Sequence, residues 1–256
     1  MSMASNALGP DLRGGPVVRA APPAAPPTSL ADLRFRALLP PGAWDTLPVA
    51  TRRRFGRRLG PGEAIVYRGR TERTRMTVWG RTLATLARLV GAPLPLPGVA
   101  EGGAAVVTVT EAAGGAGQFW TRQYARRSGF PQIVHSAKRF AGPTGIEEQV
   151  GGGIGMALRI GAEDGVLTFR SAGYFVRIGE RRVPLPTRLL PQLIVGHEDL
   201  GGEGPGGEGP GGEGPDNEGP GAFAFTLRLT HPVLGTLIDQ RCAFTETARA
   251  AEGDTA

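Results

Sequence analysis

One cysteine, Cys242, stands in 256 residues, which excludes an intramolecular disulfide and any zinc cluster built on cysteines. Lysine is equally scarce. Lys138 is the only one among 29 basic residues, the rest being arginine, and so lopsided a ratio reflects a GC-rich genome more readily than selection for phosphate contacts. The formal charge of +6 is therefore weak support for nucleic acid as a partner, and no binding motif for it is present. The three histidines, His135, His197 and His231, show no HxH or HExxH spacing, so no metal is expected. A GxSxG nucleophile elbow is missing. No apolar run reaches the roughly 18 residues of a membrane span, and Pro and Gly break the N-terminus where a secretory signal would need an apolar core. A cytoplasmic protein with no membrane partner is expected.

Glycine and proline, by contrast, are abundant, at 41 and 23 residues, and they concentrate in two stretches. Residues 1–29 end in "AAPPAAPPTS", a composition that favours solvated, extended backbone, and are expected to form a disordered leader. From Gly201 the unit "GGEGP" occurs three times and then once degraded; without an apolar side chain it cannot offset the entropy of ordering, so 201–221 is expected to be a disordered loop inserted between strands. Residues 246–256 are expected to fray. What remains, 30–245, is expected to be one domain.

Two helices are expected in the first half. Pro48 suits a first helical position, and the pattern runs to Leu59 before Gly60 and Pro61. In the second, residues 76–90, Met76, Trp79, Leu83, Leu86 and Val90 recur at spacings of three and four and would line the buried face. Period two then takes over, as in "IGMALRI" and "FAFTLRLTH". Strands are expected at 64–70, 104–111, 117–126, 131–139, 146–162, 165–171, 173–178, 192–199, 222–231 and 236–244, with "GGGIG" at 151–155 a bulge or bend rather than a phosphate loop, since neither the Lys-Ser/Thr nor the helix of such a loop follows. No cofactor is implied. The fold class is α+β: a curved antiparallel sheet or open barrel of about ten strands with the two helices packed on it.

The candidate site lies in "FWTRQYARRSGFPQIVHSAKRF", residues 119–140. Trp120, Arg122 and Tyr124 share one side of a strand; Ser136 and Lys138 share one side of the next, with His135 and Arg139 on the other. If the first set faces inward, an aromatic wall with a cation and a hydroxyl can orient an anionic, partly apolar ligand. Exposed strand residues with ordinary cross-strand pairs are the alternative. Glu147 and Glu148 are neighbours on a strand, so they point to opposite faces and only one can meet Arg122.

The ordered segments "FRALLPPGAWDTLP", "VYRGR", "LATLARLVGAPLP", "FWTRQY", "FPQIVHSAKRF", "GVLTFRSAGYFVRIGERRVPLPTRLLP" and "FAFTLRLTHPVLGTLIDQRCAF" resemble the bacterial family called domain of unknown function 4166, over about residues 33–245. Many members of that family carry Trp-x-Arg-x-Phe where this chain has Trp120, Arg122 and Tyr124. The resemblance implies no assigned activity and no catalytic residues. It does imply a partner, a separately encoded Rossmann-type oxidoreductase, because members occur alone or behind such a domain. Three functions are thus open: a non-enzymatic domain binding a small anionic or amphipathic molecule in a sheet-lined pocket; a cofactor-free enzyme in which Arg122 stabilises negative charge and Glu147 or Glu148, its pKa raised by burial, shuttles a proton; or a structural partner of the oxidoreductase, which would present an apolar patch with no cavity behind it.

Overall fold

The computed structural model describes residues 31–91, 93–179, 181–186, 190–201 and 221–250. The leader 1–29, the interior of the repeat loop and the residues after 250 lie outside them. Alternating apolar and polar residues form eleven strands: β1 Ala64–Met76, β2 Ala104–Glu111, β3 Gly117–Tyr124, β4 Gln132–Arg139, β5 Glu147–Gly151, β6 Ile154–Glu163, β7 Val166–Ile178, β8 Arg181–Pro184, β9 Gln192–Asp199, β10 Phe223–His231 and β11 Gly235–Ala250. They pair antiparallel in the order β6-β5-β4-β3-β2-β1-β11-β10-β9-β7-β8, and β6 also pairs with β7. That last pairing closes a ring of every strand except β8, which branches from the second half of β7.

The ring is closed, not open as expected. Closure depends on β7 running unbroken where a division at Ala172 was expected: Gly173, at φ 140°, takes up a bulge opposite Ala157, and the strand stays paired with β6 from Val166 to Val176 across that one shift of register. The reverse occurs at 146–162. Gly152 and Gly153, both at positive φ (55° and 75°), turn the chain sharply and divide that stretch into β5 and β6. Residues 181–184, outside every strand expected from the sequence, form β8. β11 continues to Ala250, pairing with β1 down to Ala64, so the fraying expected from 246 is contradicted for 246–250.

Helix α1, Val49–Phe55, stops at Gly56 rather than Leu59, because Arg57 leaves helical geometry to bridge Ala31. It belongs to a plug. Phe35, Leu39, Trp44, Leu47, Phe55 and Leu59 are all buried, and the Phe55 ring sits 6.5 Å from Trp120 and 5.9 Å from Phe169 inside the barrel. Helix α2, Val78–Leu86, extends as a 3-10 turn, Ala87–Val90, and lies across the opposite end, where β1 finishes and β11 begins. Thr77 caps it, its hydroxyl accepting from the Gly80 amide at 3.1 Å. Its buried face is not the expected one. Gly80 and Ala84 face the barrel, flanked by half-buried Met76, Leu83, Ala87 and Val90, while Trp79 and Leu86 are exposed. The reason is close approach: a Cβ on Gly80 would lie 2.1 Å from the Leu237 carbonyl oxygen, so only the small residues of the helix fit against β11.

Candidate functional site

Between the plug and α2, which forms a lid over the other end, the barrel interior holds a charged cluster. β3 and β4 pair with Trp120 opposite Ser136 and Arg122 opposite Val134, which turns Trp120, Arg122, Tyr124, Ser136 and Lys138 to one buried face, while His135 is exposed. β5 joins with Glu148 directly opposite Lys138, so Glu148 enters the same interior. One Arg122 Nη donates to Glu148 Oε1 at 3.0 Å and to the Ser136 hydroxyl at 3.1 Å. Lys138 Nζ lies 3.4 Å from Glu148 Oε2 and 4.8 Å from the Trp120 ring. Arg122 Nε is buried without a hydrogen-bond partner.

Glu147 takes the other face, as strand alternation requires. It is buried all the same, against Arg182 of β8 at 2.9 Å and the Gln149 amide. The two glutamates thus serve different structures: Glu148 the interior, Glu147 the attachment of β8.

Two cations face one carboxylate in this cluster. Burial opposes ionisation of Glu148, but Lys138 and Arg122, with the Ser136 hydroxyl, more than offset it and hold its pKa at about 2. For Glu148 the raised pKa expected of a proton shuttle is therefore contradicted: attraction to two adjacent cations outweighs desolvation. Burial, reinforced by Arg122, moves the Lys138 ammonium below its ordinary range. The Tyr124 phenol, buried beside Cys242 and Arg122, is raised by burial and stays neutral.

A cavity of about 190 Å³ opens on the lid side of this cluster. Arg122 and Glu148 form its polar floor, and its wall is apolar: Met156, Val195, Phe225 and Leu227 from the strands, Leu83 and Ala87 from the lid. Two side chains fix the rim. Gln132 binds the 94–96 backbone at both ends, donating to the Leu94 carbonyl at 2.8 Å and accepting from the Leu96 amide at 2.7 Å; the Tyr174 hydroxyl donates to the Pro191 carbonyl at 2.7 Å.

On the plug side lies a residue that sequence reasoning passed over. His197 of β9 is fully buried, with Phe55 at 5.0 Å, Phe225 at 5.6 Å, Phe169 and Phe223 at 5.9 Å and Trp120 at 6.1 Å between ring centroids. Its Nδ1 has no partner. Burial, with Arg54, Lys138 and Arg122 nearby, pushes its pKa well below the ordinary range, so the ring is neutral. The signal was available: Leu193, Val195 and His197 alternate on β9, which places His197 on the inner face with the two aliphatics. Among the described residues no group of three or more His, Cys, Asp or Glu is placed to hold a metal ion.

A family model described as domain of unknown function (DUF4166) matches residues 47–204, more than half of the chain. Comparison with curated proteins and with solved structures gave no match.

Proposed function

We propose that this chain, which belongs to the family of the domain of unknown function (DUF4166), uses its barrel interior to bind a small amphipathic anion. One observation carries the reading: an apolar cavity whose floor is a buried cluster with two cations against one carboxylate, and whose arginine keeps an unpaired Nε–H. A surplus buried cation is costly alone and favours an anionic guest. The ligand's carboxylate or similar group would accept from Arg122, and its hydrocarbon body would lie along Val195, Phe225 and Leu227 toward the lid. Size limits the guest. An apolar cavity of about 150 Å³ holds benzene, so the cavity here suits a ring or short chain plus one anionic group. The cofactor-free enzyme is the weaker reading, because a carboxylate held at about 2 neither donates nor accepts a proton readily near neutral pH. A structural partner of a Rossmann-type oxidoreductase was expected to have no cavity behind its apolar surface, and here a cavity lies behind the lid.

Calorimetric titration with hexanoate and with hexanol tests this. Hexanoate binds more tightly by roughly ten- to a hundredfold, the value of one hydrogen bond to a charged group. Ala87→Phe, which fills the cavity from the lid and leaves the charged cluster intact, abolishes binding while the circular dichroism stays native. Equal affinity for acid and alcohol, or hexanoate binding undiminished in Ala87→Phe, would sink the proposal.

A further inference from the structure

Leu33, Val49, Phe119, Ile178 and Val183 are exposed singly or in pairs, but the largest group of exposed apolar side chains gathers at one end of the barrel. Val78, Trp79, Leu86 and Leu89 project from α2 and its 3-10 extension on the side away from the barrel, with Leu89 85% exposed. Phe130, 90% exposed, stands in the β3–β4 turn, and Val233, 84% exposed, at the tip of the β10–β11 turn. Antiparallel alternation puts all three segments at one end: β1 and β3 finish there, β4 and β11 begin there, and the Thr77 amide at the start of α2 bonds the Leu237 carbonyl. Isolated surface hydrophobics need no explanation, but a cluster at one end does. This is also the end where the cavity is lidded.

Charge singles out the same end. Arg75, Arg81, Arg88, Arg126 and Arg127 are exposed on it and form no ion pair among the described residues. No aspartate or glutamate occurs in residues 73–100, 124–132 or 229–238. Elsewhere on the barrel several arginines are matched, as Arg241 is by Glu72 and Glu198, and Arg57 by Glu246, while unmatched ones such as Arg36, Arg53 and Arg159 stand without a cluster of exposed apolar side chains like that on α2 beside them. An aromatic and aliphatic tip with unmatched arginines around it is complementary to one kind of surface, in which a hydrocarbon layer lies beneath negative headgroups.

We infer that the lid end of the barrel docks on an anionic lipid membrane, with Trp79, Leu86, Leu89, Phe130 and Val233 entering the interface and the arginines meeting the headgroups. The contact inferred is peripheral; no helix of the described residues is long and apolar enough to cross a membrane. The inference does not depend on the cavity being occupied. A protein that binds vesicles and no hexanoate keeps this reading and loses the other.

Flotation of the full chain with vesicles of phosphatidylcholine, with and without phosphatidylserine, tests it. The protein floats with the phosphatidylserine vesicles and stays behind with phosphatidylcholine alone. Brominated acyl chains quench tryptophan emission, and Trp79→Phe removes that quenching, because Trp44 and Trp120 are buried. Each arginine near the surface contributes roughly fivefold in partitioning, so Arg81→Gln with Arg88→Gln lowers it roughly 25-fold, and Leu89→Glu abolishes it with native circular dichroism retained. Equal flotation with both vesicle types, no flotation, or a dimer in light scattering that Leu89→Glu dissociates would each overturn the inference; the last assigns the face to a second copy of the chain.

Discussion

The surplus cation in the barrel makes two neighbouring substitutions differ sharply. Glu148→Gln leaves Arg122 and Lys138 buried without a carboxylate, and removing one partner from a buried ion pair costs roughly 3–5 kcal/mol. The pKa gives the same scale: a carboxyl brought from the ordinary value near 4.3 to about 2 corresponds to roughly 3 kcal/mol of stabilisation. Lys138→Met does the opposite. It keeps the Arg122–Glu148 pair at 3.0 Å, one charge against one, and replaces an ammonium held below its ordinary pKa with an unbranched apolar chain over Trp120 and Phe169. Replacing rather than stranding a buried charge is often close to neutral, so a change within about 1 kcal/mol is expected. Urea unfolding followed by tryptophan fluorescence reads both, as a large drop in midpoint for Glu148→Gln and little movement for Lys138→Met, at unchanged slope. The pH dependence supplies a second reading. Because the folded pKa of Glu148 is depressed, its stabilisation is fully present above about pH 4.3 and is lost as pH falls toward 2. The Gln variant lacks that loss, and the two curves converge in that window. Equal costs for the two variants would refute the reasoning, since the imbalance of charge would then not matter.

Three further outcomes follow from the same geometry. His197→Leu stabilises by about 1–2 kcal/mol by removing an unpartnered buried nitrogen; because the folded ring resists protonation, the wild-type protein loses stability as pH falls below about 6.5, and a thermal melt series in which the variant keeps that loss would contradict the assignment. Arg182→Ala strands the buried Glu147 and costs roughly 3 kcal/mol, with amide exchange accelerated first in Arg181–Pro184; uniform acceleration across the barrel would be the contrary result. Cys242, its thiol pushed by burial to about 12, reacts with a disulfide reagent only on unfolding, and labelling of the native protein at the rate of a free thiol would show the strand placement to be wrong.

Local alternation carried most of what was legible in the sequence. Trp120, Arg122 and Tyr124 fall on one side of β3 and Ser136 and Lys138 on the matching side of β4 because side chains on a strand repeat every two residues. What alternation leaves open is parity between strands. That Glu148 rather than Glu147 enters the barrel depends on the three-residue register between β4 and β5, fixed beyond the loop at 140–146. Closure was hidden for a similar reason, since it rests on one bulge at Gly173 that lets β7 serve β6 along its length and β9 and β8 in turn. The lid failed differently. Its large apolar residues satisfy a helical spacing, but Gly80 and Ala84 approach β11 so closely that bulk is driven to the outer face, and periodicity alone does not reveal which side has room.

The size of the ring explains why a cavity and a charged cluster occur together. An eight-stranded barrel is about the width that its own inward side chains fill, and wider rings leave space. This ring, with all eleven strands but β8, is wider, and its two halves meet the problem in different ways. Toward α1 the chain supplies filler from outside the sheet, with Phe35 and Phe55 inserted among Trp120, Phe169 and His197. At mid-height the interior is filled by the long side chains of Arg122, Lys138 and Glu148 from the adjacent strands β3, β4 and β5, with Arg122 reaching 5.8 Å from the Phe225 ring and Lys138 5.3 Å from the Phe169 ring on the far wall, where Val or Leu would not reach. On the lid side neither device is present; Val195, Phe225 and Leu227 line a wall whose centre they do not reach, and Gly80 and Ala84 hold α2 close to the rim. The space is thus a consequence of ring width, and the selectivity proposed for it follows from the charges at mid-height. A pair of opposite charges there would favour a neutral guest, whereas two cations and one carboxylate would favour an anion, so on the proposed reading the chain's single lysine sets the sign.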